Sequence, residues 1–153
     1  MSDLLAVQLA GKQIDRYSKM LLDVIDSLTS EELWSTRGGL PNSIGNITRH
    51  LTGNLNQYFG AGLLKRAYQR HRDLEFKEKN LPKEVVKAEL IEAVATALQA
   101  INSITEDQVL KPYISPDGDE TESLPYHIFR MTTHFSLHVG QADFAKTILL
   151  EKI

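Results

Sequence analysis

Ser123-Leu124-Pro125-Tyr126-His127-Ile128-Phe129-Arg130-Met131-Thr132-Thr133-His134-Phe135-Ser136-Leu137-His138-Val139-Gly140-Gln141 reads as the opening of one long helix. Ser123 or Thr121 offers a hydroxyl cap, and Pro125 falls in the first turn, where its missing N–H costs nothing; the apolar pattern continues to about Leu150. His134 and His138 stand four apart, so their imidazoles share one helical face about 6 Å apart along the axis. One metal ion can bridge that separation. An HxxxH pair alone is a weak signal, however, and needs a third donor from another element.

Working back towards the N-terminus, three further helical patterns emerge. Ile14, Tyr17, Leu21, Val24 and Leu28 give a first amphipathic helix from about Leu4 to Leu28, and Thr29 to Trp34 reads as a fresh short turn with hydroxyl caps and early acids. Gly38, Gly39 and Pro41 break it, and Asn42 or Ser43 caps a second helix carrying Ile44, Ile47, Leu51, Leu55 and Tyr58, expected to end near Tyr68. Gly45, Gly53, Gly60 and Gly62 cost that helix propensity, which points to close approach of a neighbouring helix or a ligand. Pro82 suits the first turn of a third helix with a stripe from Val85 to Ile101. Ser115-Pro116-Asp117-Gly118 reads as a turn in the loop that follows. No strand alternation of useful length, repeat or low-complexity tract is present. Four long helices in a chain of 153 residues bury their stripes best side by side, so the expected fold is all-α, a single four-helix-bundle domain over residues 1–153.

Composition narrows the function. A net charge of -3 gives no broad positive field for phosphates, which argues against a nucleic-acid partner. Lys65, Arg66, Arg70, His71 and Arg72 form a local basic cluster, but Asp73, Glu75 and Glu78 follow at once, and the stretch reads as a solvated helix end. The absence of cysteine removes disulfides, thiolate ligands and a cysteine nucleophile together. No basic-then-apolar leader is visible, and no stretch reaches the roughly 20 apolar residues of a membrane span, so a cytoplasmic protein with no membrane partner is expected.

His50 is the candidate third donor, because its neighbours Ile47 and Leu51 face the core and its ring should follow them inward. A lone core histidine is more often hydrogen-bonded than metal-bound, yet burying polar rings from two helices carries a double desolvation cost that calls for an explanation. His127, seven residues before His134, is placed to line the pocket one level above the metal, as an orienting group or substrate contact; His71 reads as a surface residue. Asn54, one turn after His50, and Gln141, three residues after His138, are positioned to orient the imidazoles, though each suits an ordinary interhelical amide equally. Tyr58 and Tyr126 read as core rings with hydroxyls at the rim.

The order of these signals resembles the DinB/YfiT-like superfamily over nearly the whole chain. The likeness rests on Asn42-Ser43-Ile44-Gly45-Asn46-Ile47 running into His50-Leu51, on Gly53-Asn54-Leu55-Asn56-Gln57-Tyr58, and on His134-x-x-x-His138-x-Gly140-Gln141. The Asn42 to Asn46 run, with Arg72-Asp73-x-Glu75-Phe76, looks like a branch of that superfamily without an assigned function. The resemblance implies up-down-down-up topology, one metal on His50, His134 and His138, and a homodimer. Characterised relatives include thiol-dependent transferases and a thiol-dependent maleylpyruvate isomerase; nothing in this sequence marks their substrate pockets.

Three neutral imidazoles suit zinc or nickel and leave a coordination position open, as catalysis requires. Either water or a small thiol could then be the nucleophile. With no cysteine and no HExxH base, the sequence leans towards transfer of an external low-molecular-weight thiol to an electrophilic substrate. The rivals are a metal-dependent hydrolase, a non-catalytic metal-binding or stress-associated bundle, and three purely structural histidines.

Overall fold

The computed structural model describes residues 2–116 and 121–151, and the chain is mostly helical. Helix α1 (Asp3–Asp26) buries Val7, Gly11, Ile14, Ser18, Leu21, Val24 and Ile25, which recur at helical spacing on one face. Thr29 closes a capping box with Glu32 and starts the one-turn α2 (Ser30–Leu33). The chain then turns through Gly38 and Gly39, at φ 74° and 77°, a left-handed conformation that a side chain would strain.

Ser43 caps α3 (Ile44–Leu55), which runs on as a π-helix through Asn56–Leu63. The second helix therefore stops short of the expected Tyr68. Lys65 at φ 56° ends it, and the following residues run without helical bonding until α4 (Arg72–Lys77), a short helix that the charge run had concealed. Pro82 precedes rather than opens the next helix, α5 (Lys83–Asn102), capped by its fixed extended backbone.

The one-turn α6 (Glu106–Val109) leads into two three-residue strands, β1 (Pro112–Ile114) and β2 (Thr121–Ser123), paired antiparallel with Tyr113 opposite Glu122. Of the expected turn, Asp117 and Gly118 lie outside the described residues. Helix α7 (Leu124–Leu150) starts at the Ser123 cap with Pro125 in its first turn, as the sequence required. It packs along α1, which also packs on α5, while α3 lies against α5, α4 and α7. One continuous apolar core joins these faces, centred on Leu21, Leu51, Phe59, Leu90, Phe135 and Val139. None of the described helices is long and apolar enough to cross a membrane.

Candidate metal centre

His50 projects from α3 and His134 and His138 from α7, and each ring can turn a nitrogen to a common point where all three lie within 4.8 Å of one another. The Nε2 atoms of His50 and His134 are 3.1 Å apart, and the His138 ring centroid lies 4.9 Å from that of His50 and 4.5 Å from that of His134. Tetrahedral zinc bound at about 2.0–2.1 Å places its nitrogen ligands about 3.3 Å from one another, so only small shifts separate this arrangement from a coordinating one.

What fixes the His50 ring was invisible to the sequence reading. Arg70 clamps Glu75 with Nε and Nη2, at 2.6 and 2.9 Å, and the second carboxylate oxygen accepts the His50 Nδ1–H at 2.9 Å. Burial pushes the Glu75 pKa up, but hydrogen bonds from His50 and Arg70 and the Arg70 charge outweigh it and hold the group below its usual value. The ionised carboxylate can only accept, so Nδ1 of His50 is the nitrogen that donates to it, and Nε2 faces the cluster. Most of the expected solvated stretch is exposed, but Glu75 is not: it is 5% exposed and pairs with Arg70, whose side chain is largely covered.

Local sequence explains how Glu75 arrives there. The Ser43 hydroxyl donates to Asn46 Oδ1, and Asn46 Nδ2 donates to the backbone carbonyls of Glu75 and Glu78 at 3.0 and 3.2 Å. The Asn-Ser-Ile-Gly-Asn run thereby pins α4 to the start of α3. Gly53 completes the seat, because a Cβ there would collide with Glu75 Oε1. Gly45 plays the same part for Trp34, whose ring carbon Cε3 would lie 2.6 Å from an added Cβ and whose indole N–H donates to the Leu81 carbonyl.

Gln141 Oε1 accepts the Nδ1–H of His138 at 2.7 Å, which leaves that ring's Nε2 as a lone pair as well. Asn54 Nδ2 donates to the His50 carbonyl and stands 3.1 Å from His50 Nε2 and 3.3 Å from His134 Nε2. Gln141 thus contacts the far nitrogen of its ring, whereas Asn54 directs its amide at the converging Nε2 atoms themselves. His127 does not join them: fully buried, it donates through Nδ1 to Glu122 at 2.5 Å and packs against Tyr113 and Tyr58, away from the cavity beside the cluster. Tyr126, at 56% exposure, lies on the surface rather than in the core.

Burial first, then the charges of His138, His50, Arg70 and Arg72, depress the His134 pKa to about 4. His138 is lowered too, by burial and then by His50, against the opposing hydrogen bond to Gln141. These rings stay neutral at physiological pH, the state a metal ligand requires. The donor set fits a divalent ion: ring nitrogens from two helices converge on one point, with the Asn54 amide directed at two of them and the arginines set further back. A cavity of about 630 Å³ opens beside His50 and His134, so the cluster is reachable by a small molecule. A second cavity, of about 470 Å³, is lined by Arg49, Gly53, Leu74, Glu75 and Thr96 among others.

Fold and site together define a helical protein built around a three-histidine cluster held by a buried Arg–Glu pair. The chain belongs to the family described as "Protein of unknown function (DUF1572)", which matches residues 5–152. No curated protein matches the sequence. Among solved structures, a conserved protein from Enterococcus faecalis is similar, with a TM-score of 0.73 over 95% of this chain and 97% of that one. At 14% identity that likeness is one of fold alone.

Proposed function

We propose that this protein is a divalent-metal-dependent enzyme of the DinB/YfiT-like superfamily, a four-helix bundle in which α1, α3, α5 and α7 run up-down-down-up. His50, His134 and His138 would hold zinc or nickel, which when bound supplies Lewis acidity at an open position facing the cavity. One observation carries the reading: two of the three rings have their tautomer set by a dedicated acceptor, Glu75 for His50 and Gln141 for His138, so that Nε2 is presented to the cluster. A structural histidine would also be hydrogen-bonded, but it would not need to turn its other nitrogen to a point shared with rings from a second helix.

The reaction we favour is transfer of a low-molecular-weight thiol to an electrophilic substrate. The chain has no thiol of its own, and among the described residues the lining of the cavity holds no carboxylate that could serve as base to a water molecule. Asn54, Gln57 and Tyr58 can orient a bound substrate by hydrogen bonding. A cytoplasmic homodimer completes the proposal, supported by an exposed apolar stripe on α7.

The test is metal analysis of the untreated protein, followed by assays of thiol transfer and of ester and amide hydrolysis. One equivalent of metal, lost in His50→Ala and His134→Ala, together with thiol transfer supports the proposal. Hydrolysis without thiol transfer moves it to the hydrolase class. Stoichiometric metal with neither activity favours a metal-binding protein, and no metal at all sinks the centre.

A further inference from the structure

The cavity beside the histidine cluster is lined by Arg70, Arg72 and Arg130 and, among the described residues, by no carboxylate, in a chain whose net charge is -3. Arg70 faces Glu75, and Arg130 reaches Glu122 through Nη2 at 2.7 Å; among the described residues Arg72 makes no ion pair. Among the described residues, Glu75 and Glu122 are the carboxylates that Arg70 and Arg130 meet. Both sit behind the cavity wall, with side-chain exposures of 7% for Glu75 and 8% for Glu122, whereas Arg130 retains 42%. A cleft lined by charge of one sign focuses its field and concentrates counter-ions. The guanidinium fork matches a carboxylate through two parallel hydrogen bonds. The volume, about 630 Å³, falls inside the roughly 300–1,000 Å³ of small-molecule sites.

We infer that this cavity binds a small organic anion, with a carboxylate held by Arg72 and Arg130 and the rest of the molecule extending towards His50 and His134. The orientation of the reacting end rests on the proposed metal centre; the anion seat does not. Arg72 opens α4, one residue into the segment that also carries Glu75, and Arg130 lies one helical turn before His134 on α7. Helix α7 therefore carries both Arg130 and two of the histidines, while α4, which supplies Glu75 to His50, brings Arg72 to the same cavity.

Calorimetric titration of the full chain, zinc-loaded and metal-free, with succinate, its neutral diamide and inorganic phosphate tests this. Succinate should bind at least about tenfold tighter than succinamide and tighter than phosphate, and Arg72→Gln should remove most of that preference while the chain still takes up one equivalent of zinc. Arg130→Gln should act in the same direction, and the exposed position of Arg72 keeps the test independent of folding. Equal binding of acid and diamide, a preference that survives both substitutions, or phosphate binding tighter than succinate overturns the inference. Arginine-dependent succinate binding in a protein that takes up no zinc would leave the anion seat standing and remove the metal centre. Normal zinc uptake with no charge preference would do the reverse.

Discussion

At the scale of single residues, the chemistry turns on which nitrogen of each ring carries the proton. Glu75 and Gln141 hold the Nδ1–H groups of His50 and His138, so those side chains, rather than the imidazoles alone, decide whether lone pairs converge. Glu75→Gln keeps an oxygen near His50 but loses the charge that Arg70 grips, and zinc affinity should fall about 10–100-fold by chelator competition. An unchanged affinity would mean that Glu75 only anchors Arg70. The depressed His134 gives a pH dependence with a definite sign. In the metal-free protein the unfolded chain takes up a proton near pH 6.5, while the folded ring resists until about 4. Stability is therefore complete above the higher value and declines as pH falls towards the lower one. Glu75 and Glu122, both held below the usual carboxylate value, extend the loss further into acid. Urea unfolding at successive pH values should show this slope, and His134→Gln should flatten it between pH 6.5 and 4.

The elements show why some of this was legible beforehand and some was not. Helices α1, α3, α5 and α7 announce themselves because their apolar residues recur at helical spacing, and Ser43 and Ser123 cap where hydroxyls precede periodic runs. The histidine cluster could be anticipated for the same reason, since periodicity says which way His50 and His134 face. Arg70 and Glu75 escaped because charge-rich sequence carries no period: a run of arginines and acids looks identical whether it is solvated or folded back into a core. The signal was indirect, in Gly53, a residue costly to a helix and present because Glu75 Oε1 occupies the space of its missing side chain. The π-helical end of α3 was equally hidden, since hydrogen-bond slippage leaves composition unchanged. Gly53→Ala tests the linkage between elements. Forcing Glu75 and α4 outward should cost about 1–3 kcal/mol in urea unfolding, as overpacking does, and should weaken zinc binding although no ligand is altered. Full zinc affinity in a destabilised variant would separate the α4 contact from the metal centre.

For the molecule as a whole, the open question is what covers α7. Tyr126, Phe129, Leu137 and Phe144 are 56, 64, 60 and 67% exposed, and helical spacing gathers them on one stripe about a quarter turn away from the histidines. Single exposed apolar residues are ordinary, but large ones aligned along a long helix mark a contact surface. A second copy of the chain is the proposed occupant: two such stripes related by a two-fold axis are self-complementary, each meeting the other at the same residues. Thr133 and Gly140 fall on that stripe between the large residues, and an added Cβ at Gly140 would meet nothing within the chain, so a second helix could approach closely there. Leu137→Glu buries nothing in the monomer yet would place a charge at the centre of that contact and its symmetric copy opposite. Light scattering on a size-exclusion column should show the native chain as a dimer and Leu137→Glu as a monomer. Because the histidines lie on a different face of the helix, zinc uptake per chain should be the same in both. A native monomer, or a dimer that survives the substitution, removes α7 as the dimer surface; loss of zinc along with dimerisation would instead show that the metal centre is complete only in the assembled pair.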